Sequence, residues 1–261
     1  MDDKTIEAIV TQLLEAQEKT QPIPPLTQSY PKITIQDAYR IQFSLLEKKL
    51  KKGAQSIGWK AGVTGKPVME QLGVNEPILG HLLDSSRYPA TATTIPFDAM
   101  IQPGIEPEIA FSIKEELKGP NVNALKVYES VELVFPAVEI VDCRIKDWKV
   151  RIQDIIADNV LHQGILVGSQ GTALKEMDLP DEEVKVQING QIAATGTAKN
   201  VLGNPVNVVA WVANKLAEFE TSLNPGDIIM TGSITRFIFV NRGDNVKVSF
   251  SRLGSLEFSL Q

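Results

Sequence analysis

The 261-residue sequence holds a single cysteine, two histidines and only 6% aromatic residues. Each shortage removes a class of protein. Cys143 has no partner for an internal disulfide, and the chain lacks the paired thiols of a zinc module, so a reducing, cytoplasmic setting is expected. His81 and His162 are too few for an all-histidine metal site. Apolar runs are about ten residues or shorter and are broken by charge or proline, so no membrane span is expected. The opening MDDKTIEAIV lacks a basic stretch leading into an apolar one, so no secretory leader is expected. Basic residues are outnumbered 26 to 32, for a net charge of −6, and this argues against nucleic acid as a partner. The densest basic cluster, Lys48-Lys49 with Lys51-Lys52, closes a helical pattern, where cations favour the helix dipole anyway. Nucleotide-binding glycine loops, the serine-hydrolase elbow and the zincin motif are missing, as are repeats and low-complexity tracts.

With 43% hydrophobic residues the chain can bury one ordinary core. Ile6, Ile9, Val10, Leu13 and Leu14 follow helical spacing behind Asp2 and Asp3, ending near Gln21 to Pro25. A second helix starts at the cap Thr34, carries Ala38, Ile41, Leu45 and Leu46 on one face, and stops at Gly53. Residues 1–55 therefore read as an N-terminal helical arm and 56–261 as a β-rich catalytic body, one globular unit overall. In the body, short apolar runs separated by glycine and proline predict strands at SIGWKAGVT, MIQPGIEPEIAFSI, LVFPAVEIVD, GILVGS, EVKVQI, IAATG, GDIIMTG, FIFV, NVKVSF and SLEFSL. Asn189-Gly190 marks a tight hairpin, and Asn204-Pro205 opens one more helix through Val208, Val209, Val212 and Leu216. The fold class is α+β, a curved and mostly β body with flanking helices.

Chemistry is expected where charge interrupts apolar strands. Glu106 and Glu108 in IEPEI alternate onto one strand face, with Cα atoms about 6–7 Å apart. A solvated face would explain them, but Glu139 stands alone in the apolar VFPAVEIV, where an isolated carboxylate would cost several kcal/mol or be forced neutral. Three such acids without basic neighbours suggest a hard divalent cation, with about three of six octahedral positions left open. Lys60, in IGWKAGVT, is either an edge residue pointing outward or a desolvated amine, and its flanking glycines would permit close approach of a ligand. Arg144 could meet a substrate carboxylate or form an ion pair with Asp142 or Asp147.

The ordered set IGWKAGVT, VMEQLGVNEPILG, QPGIEPEIAF, FPAVEIVDCRIKDW, IADN, LGNPV and PGDIIMTG resembles the vinylpyruvate hydratase and 4-oxalocrotonate decarboxylase group of the fumarylacetoacetate hydrolase superfamily over nearly the whole chain. The resemblance implies a mixed, mostly β roll or barrel-like body and Mg²⁺ or Mn²⁺ held by Glu106, Glu108 and Glu139. It implies Lys60 as a catalytic residue, with Ile78, Leu79, Arg144, His162 and Thr231 against a small 2-oxo dicarboxylate. It also implies a homo-oligomer in the meta-cleavage route of aromatic catabolism, in some cases complexed with a vinylpyruvate hydratase.

Within that group, hydratases read DQPDFG where this chain has Asn75-Glu76-Pro77-Ile78-Leu79-Gly80, so a water-activating acid is replaced by Ile78. Thr231-Gly232-Ser233-Ile234-Thr235 also leans to the decarboxylases, whereas Arg144-Ile145-Lys146-Asp147-Trp148 leans to the hydratases and Val160-Leu161-His162 to neither. Loss of carbon dioxide from 2-oxohex-3-enedioate needs an electron sink and no activated water, while hydration needs a base near the distal carbon. The expected activity is therefore the decarboxylase's. A 2-hydroxypenta-2,4-dienoate hydratase, or a weakly active partner subunit that stabilises one, are the alternatives.

Overall fold

The computed structural model describes residues 1–90 and 94–261. Three helices lead: α1 (Asp3–Lys19), the single turn α2 (Leu26–Ser29) and α3 (Ile35–Lys51). Asp2 caps α1 by accepting from the Thr5 amide, and Thr34 with Asp37 forms a reciprocal capping box at the start of α3. There follow β1 (Ser56–Gly62), α4 (Lys66–Leu72), β2 (Ile78–Leu83), β3 (Arg87–Tyr88), β4 (Thr94–Ile95), β5 (Gly104–Ile113), α5 (Ala124–Ser130), β6 (Val131–Val141) and α6 (Ile152–Ala157). The chain ends with β7 (His162–Val167), β8 (Thr172–Ala173), β9 (Glu183–Ile188), β10 (Gln191–Thr197), α7 (Pro205–Ala217), β11 (Ile228–Met230), β12 (Ile238–Phe239), β13 (Asn245–Phe250) and β14 (Gly254–Leu260).

These strands make two sheets. A nine-stranded one runs β2-β1-β11-β5-β6-β7-β3, with β12 on β5 and β8 on β6, and a five-stranded one runs β10-β9-β13-β14-β4. Pairing is antiparallel except at β1/β11, β3/β7 and β14/β4. The expected α+β class with a mostly β, roll-like body holds, and the β9–β10 hairpin turns at Asn189 and Gly190 with φ of 51° and 79°. No helix among the described residues is long and apolar enough to cross a membrane.

Register shows how the large sheet separates packing from chemistry. Trp59, Ala61, Leu79, Ile105, Ile109, Phe111, Val138 and Ile140 belong to the main core. Lys60 lies opposite Gly80 and Met230, Met230 opposite Ala110, and Glu106 opposite Glu139, so these residues share the other face. There Leu82, Ala110, Ala137, Ile165, Val167 and Met230 form a separate apolar floor. Helix α3 is fastened to β2 and α6 by Gln42, whose buried amide nitrogen donates to the carbonyls of Leu79 (2.9 Å) and Ile156 (2.8 Å).

Candidate metal centre and active site

Long central strands β5 and β6 place the acids. Glu106 and Glu139 face each other across the ladder and Glu108 follows two residues along, so one oxygen from each lies within 4.8 Å of the others. Two ligands of one magnesium ion, each at about 2.1 Å, can be at most about 4.2 Å apart. Neighbouring ligands of an octahedral ion are about 3 Å apart, so the three carboxylates would draw together by about 1–2 Å at most to seat one.

Electrostatics favour the same reading. Glu108 and Glu139 are fully buried, and Glu106 is half-buried. Burial, and then the charge of Glu139, push the Glu106 carboxyl up to about 7. Burial followed by the charges of Glu139 and Glu106 raises Glu108 well above the usual carboxylate range. Burial acts on Glu139 in the same direction, but Lys60 and then His162 outweigh it and hold Glu139 below its ordinary value. The Gly232 amide donates to Glu108 Oε2 at 2.7 Å, while Glu108 Oε1 is buried with no donor. A buried carboxylate oxygen without a partner, beside two more carboxylates, is the environment a divalent cation would complete.

Lys60 is inward and fully buried, which resolves the choice between edge residue and desolvated amine. Its Nζ lies 2.7 Å from Glu139 Oε2 and donates to the Val160 carbonyl at 2.8 Å. The flanking glycines do not open a path for ligand. A Cβ at Gly62 would lie 2.4 Å from Val160 Cγ1, one at Gly80 3.2 Å from Val160 Cγ2, and one at Gly58 1.9 Å from the Ile228 carbonyl oxygen. They make room for a neighbouring strand and for the Val160 side chain. Val160 sits in a left-handed turn, Asn159, Val160 and Leu161 having φ of 48°, 54° and 58°. Left-handed backbone is strained for a β-branched residue. The turn is clamped by Asn159, whose side chain accepts from the His81 amide (2.8 Å) and donates to the His81 carbonyl (3.0 Å).

The remaining expected residues divide. Ile78 lies opposite Gly62, on the Lys60 face, and forms a wall with Val160. Leu79 alternates to the other face and packs in the core. Thr231 spends its hydroxyl on the Ile109 carbonyl at 2.9 Å, and it is the next amide, at Gly232, that reaches the acids. Arg144 is paired with Asp158, Nε to Oδ1 at 2.6 Å, rather than with Asp142 or Asp147, and its terminal nitrogens donate to the Asp158 and His162 carbonyls. Neither Leu79 nor Arg144 presents a free group to a substrate, because core packing claims one and a buried ion pair the other. His162 brings Nδ1 to 2.7 Å from Glu139 Oε1 and Nε2 to 2.9 Å from Ser86 Oγ. His81 is wedged between Trp59 and Phe43, ring centroids 4.4 and 4.8 Å away, and burial pushes it down to about 3. Asn159, Val160 and Gly232 enter the sequence reading only as members of motifs, with no role given to them, and Ser86 escapes it. Asparagine's tolerance of left-handed backbone is the one faint signal at the turn.

The profile described as Fumarylacetoacetate (FAA) hydrolase C-terminal matches residues 69–261. The chain is 37% identical over 261 residues to a 2-hydroxyhexa-2,4-dienoate hydratase of Comamonas testosteroni, covering 99% of each. It is 34% identical over 249 residues to a 4-oxalocrotonate decarboxylase of Pseudomonas putida, covering 95% of this chain and 94% of that one. The solved 4-oxalocrotonate decarboxylase from Pseudomonas putida G7, complexed with magnesium and adipate, superposes with a TM-score of 0.97 at 31% identity over 100% of this chain and 99% of its own. With matched sequence across the body, an almost coincident backbone and relatives that are hydratases and decarboxylases at comparable identity, the chain belongs to the fumarylacetoacetate hydrolase C-terminal family of enzymes.

Proposed function

We propose that this protein decarboxylates 2-oxohex-3-enedioate to 2-hydroxypenta-2,4-dienoate, with Glu106, Glu108 and Glu139 holding Mg²⁺ or Mn²⁺. The bound ion would supply a Lewis acid for the 2-oxo acid end of the substrate. Lys60 has three N–H groups, and Glu139 and Val160 account for two. Its third is free for the 2-oxygen, which gains negative charge as the C5–C6 bond breaks and the electron pair moves through C3=C4. One proton taken up at that oxygen completes the enol. Ile78 and Val160 offer the departing carboxylate an apolar wall, which favours its loss as a neutral molecule.

The observation that carries this choice over hydration is the disposition of acids. Ile78 stands on the Lys60 face where hydration would need a base. Outside the trio, every buried acid among the described residues is committed: Asp37 to Thr34 and the Met1 amine, Asp142 to two backbone amides, Asp154 to Thr27, Asp158 to Arg144, Glu182 to Arg252 and Asp244 to Asn189. The relationship to the solved decarboxylase supports the same reading, since adipate has the six-carbon dicarboxylate skeleton of the substrate. Hydration is favoured by the 37% identity to the Comamonas hydratase. Incubating the protein and magnesium with 2-hydroxymuconate, and separately with 2-hydroxypenta-2,4-dienoate, decides between them. Carbon dioxide from the first is expected, and efficient formation of 4-hydroxy-2-oxopentanoate from the second without carbon dioxide from the first would overturn the assignment.

A further inference from the structure

We infer that His162, steadied by Ser86, is a positioning residue of the metal centre: it fixes the orientation of Glu139 and so the third ligand's approach to the ion. The inference rests on the metal-site reading above. Both oxygens of Glu139 are held, Oε1 by His162 Nδ1 at 2.7 Å and Oε2 by Lys60 Nζ at 2.7 Å. An ionised carboxylate only accepts, so the hydrogen of the first contact lies on Nδ1. Nε2 then accepts, and Ser86 Oγ lies 2.9 Å from it and 2.8 Å from the Leu83 carbonyl at the end of β2, so the single hydroxyl hydrogen is shared between these two acceptors, one at a time. The imidazole is thus gripped at both nitrogens, between a carboxylate on β6 and the turn after β2.

Such a grip has a chemical use. Glu139 is fully buried beside a fully buried ammonium, whose charge would favour a carboxylate turned to face it with both oxygens. That rotation would draw it away from Glu106 and Glu108. His162 opposes it by offering a directed N–H on the side away from Lys60. The same contacts leave neither ring nitrogen of His162 available to substrate, which replaces the expected substrate-binding role with an orienting one.

The experiment is a titration of the full-length protein with Mn²⁺, read by the electron paramagnetic resonance of the free ion, alongside thermal unfolding in chelator. Loss of an orienting partner of a metal ligand costs about 10–100-fold in affinity, so His162→Leu should weaken Mn²⁺ binding by that factor. His162→Asn keeps a donor near the Nδ1 position and should restore affinity to within about threefold, and Ser86→Ala should fall between. If His162→Leu does not fold, Ser86→Ala carries the test. Wild-type affinity in His162→Leu or, failing that variant, in Ser86→Ala would overturn the inference, as would His162→Asn binding as weakly as His162→Leu. Failure of the underlying reading looks different. There the unsubstituted protein would bind no more Mn²⁺ than Glu106→Gln/Glu108→Gln, and the inference would fall with it.

Discussion

Replacing Lys60 by methionine keeps the side chain's length and removes the one ammonium among the described residues that is paired with the carboxylate trio. Lys60 and Glu139 are paired at 2.7 Å with side chains 2% and 0% exposed. Removing one partner of a buried pair costs about 3–5 kcal/mol, because the other charge is left uncompensated. In a chain of this size each kcal/mol lowers the melting temperature by about 2–4 °C, so a drop of about 6–20 °C is expected in chelator at pH 8. The loss should depend on pH with a definite sign. Lys60 holds Glu139 below its ordinary value, and without it Glu139 joins Glu106, at about 7, and Glu108 in favouring the protonated form. A carboxyl whose folded value is raised contributes stability that is fully present below its unfolded value and lost as pH rises through the folded one. The deficit should therefore be small near pH 5 and full above pH 7. Saturating magnesium should recover part of it at pH 8, since the ion supplies the missing positive charge. Turnover should fall by about 10²–10³-fold, the order for losing one positioned donor to a developing oxyanion. Differential scanning calorimetry at the two pH values, with and without magnesium, and a carbon dioxide assay test the reasoning. An unchanged melting temperature in chelator at pH 8, or turnover within a few-fold of normal, would refute it.

Four further outcomes are expected. Glu108→Gln should remove the magnesium-induced rise in melting temperature and abolish activity, and full activity in that variant without metal would exclude the proposed centre. In the unsubstituted protein that same rise should be larger at pH 8 than at pH 6, because Glu106, raised to about 7, must lose its proton to ligate; isothermal titration should show protons released on binding. Ile78→Asp should impair decarboxylation by placing a second negative charge beside the departing carboxylate, and any gain should be in hydration of 2-hydroxypenta-2,4-dienoate; unimpaired carbon dioxide release would remove Ile78 from the site. Gly62→Ala puts a methyl group 2.4 Å from Val160 Cγ1, so it should displace the left-handed turn and slow turnover while leaving Mn²⁺ affinity near normal, as kinetics and metal titration together would show.

The acids were legible because strands advertise their faces. A carboxylate in an otherwise apolar strand stands out at a period of two, and register then brings Glu139 opposite Glu106. Caps announced α1, α3 and α7, and Asn189-Gly190 announced the β9–β10 hairpin. Other elements left weaker traces. Ile78–Leu83 is buried at every position, so β2 has no alternation to read, and α4, α5 and α6 are too short, at seven, seven and six residues, for a helical period to emerge. The turn at Asn159–Leu161 is set by tertiary contacts, since nothing about Val160 as a residue favours positive φ. The glycines around Lys60 were visible, but their purpose depends on which residues arrive from distant strands. Arg144 drew attention for its charge, and its partner Asp158 lies fourteen residues on, beyond the neighbours its local sequence suggested.

Gln42 gives the helical arm a significance that its place in the sequence conceals. One amide nitrogen fastens Leu79, next to Ile78, and Ile156, at the start of the descent into the left-handed turn that carries Val160. The backbone beside Ile78 and the backbone leading to Val160 are thus tied to each other through a side chain that belongs to neither. Transplanting the 78–80 segment from a relative to alter substrate choice would change one side of this tie and leave the other as it was. Redesign of this pocket therefore has to treat α3 as part of the active site's frame, and Gln42 as the residue to vary together with Ile78.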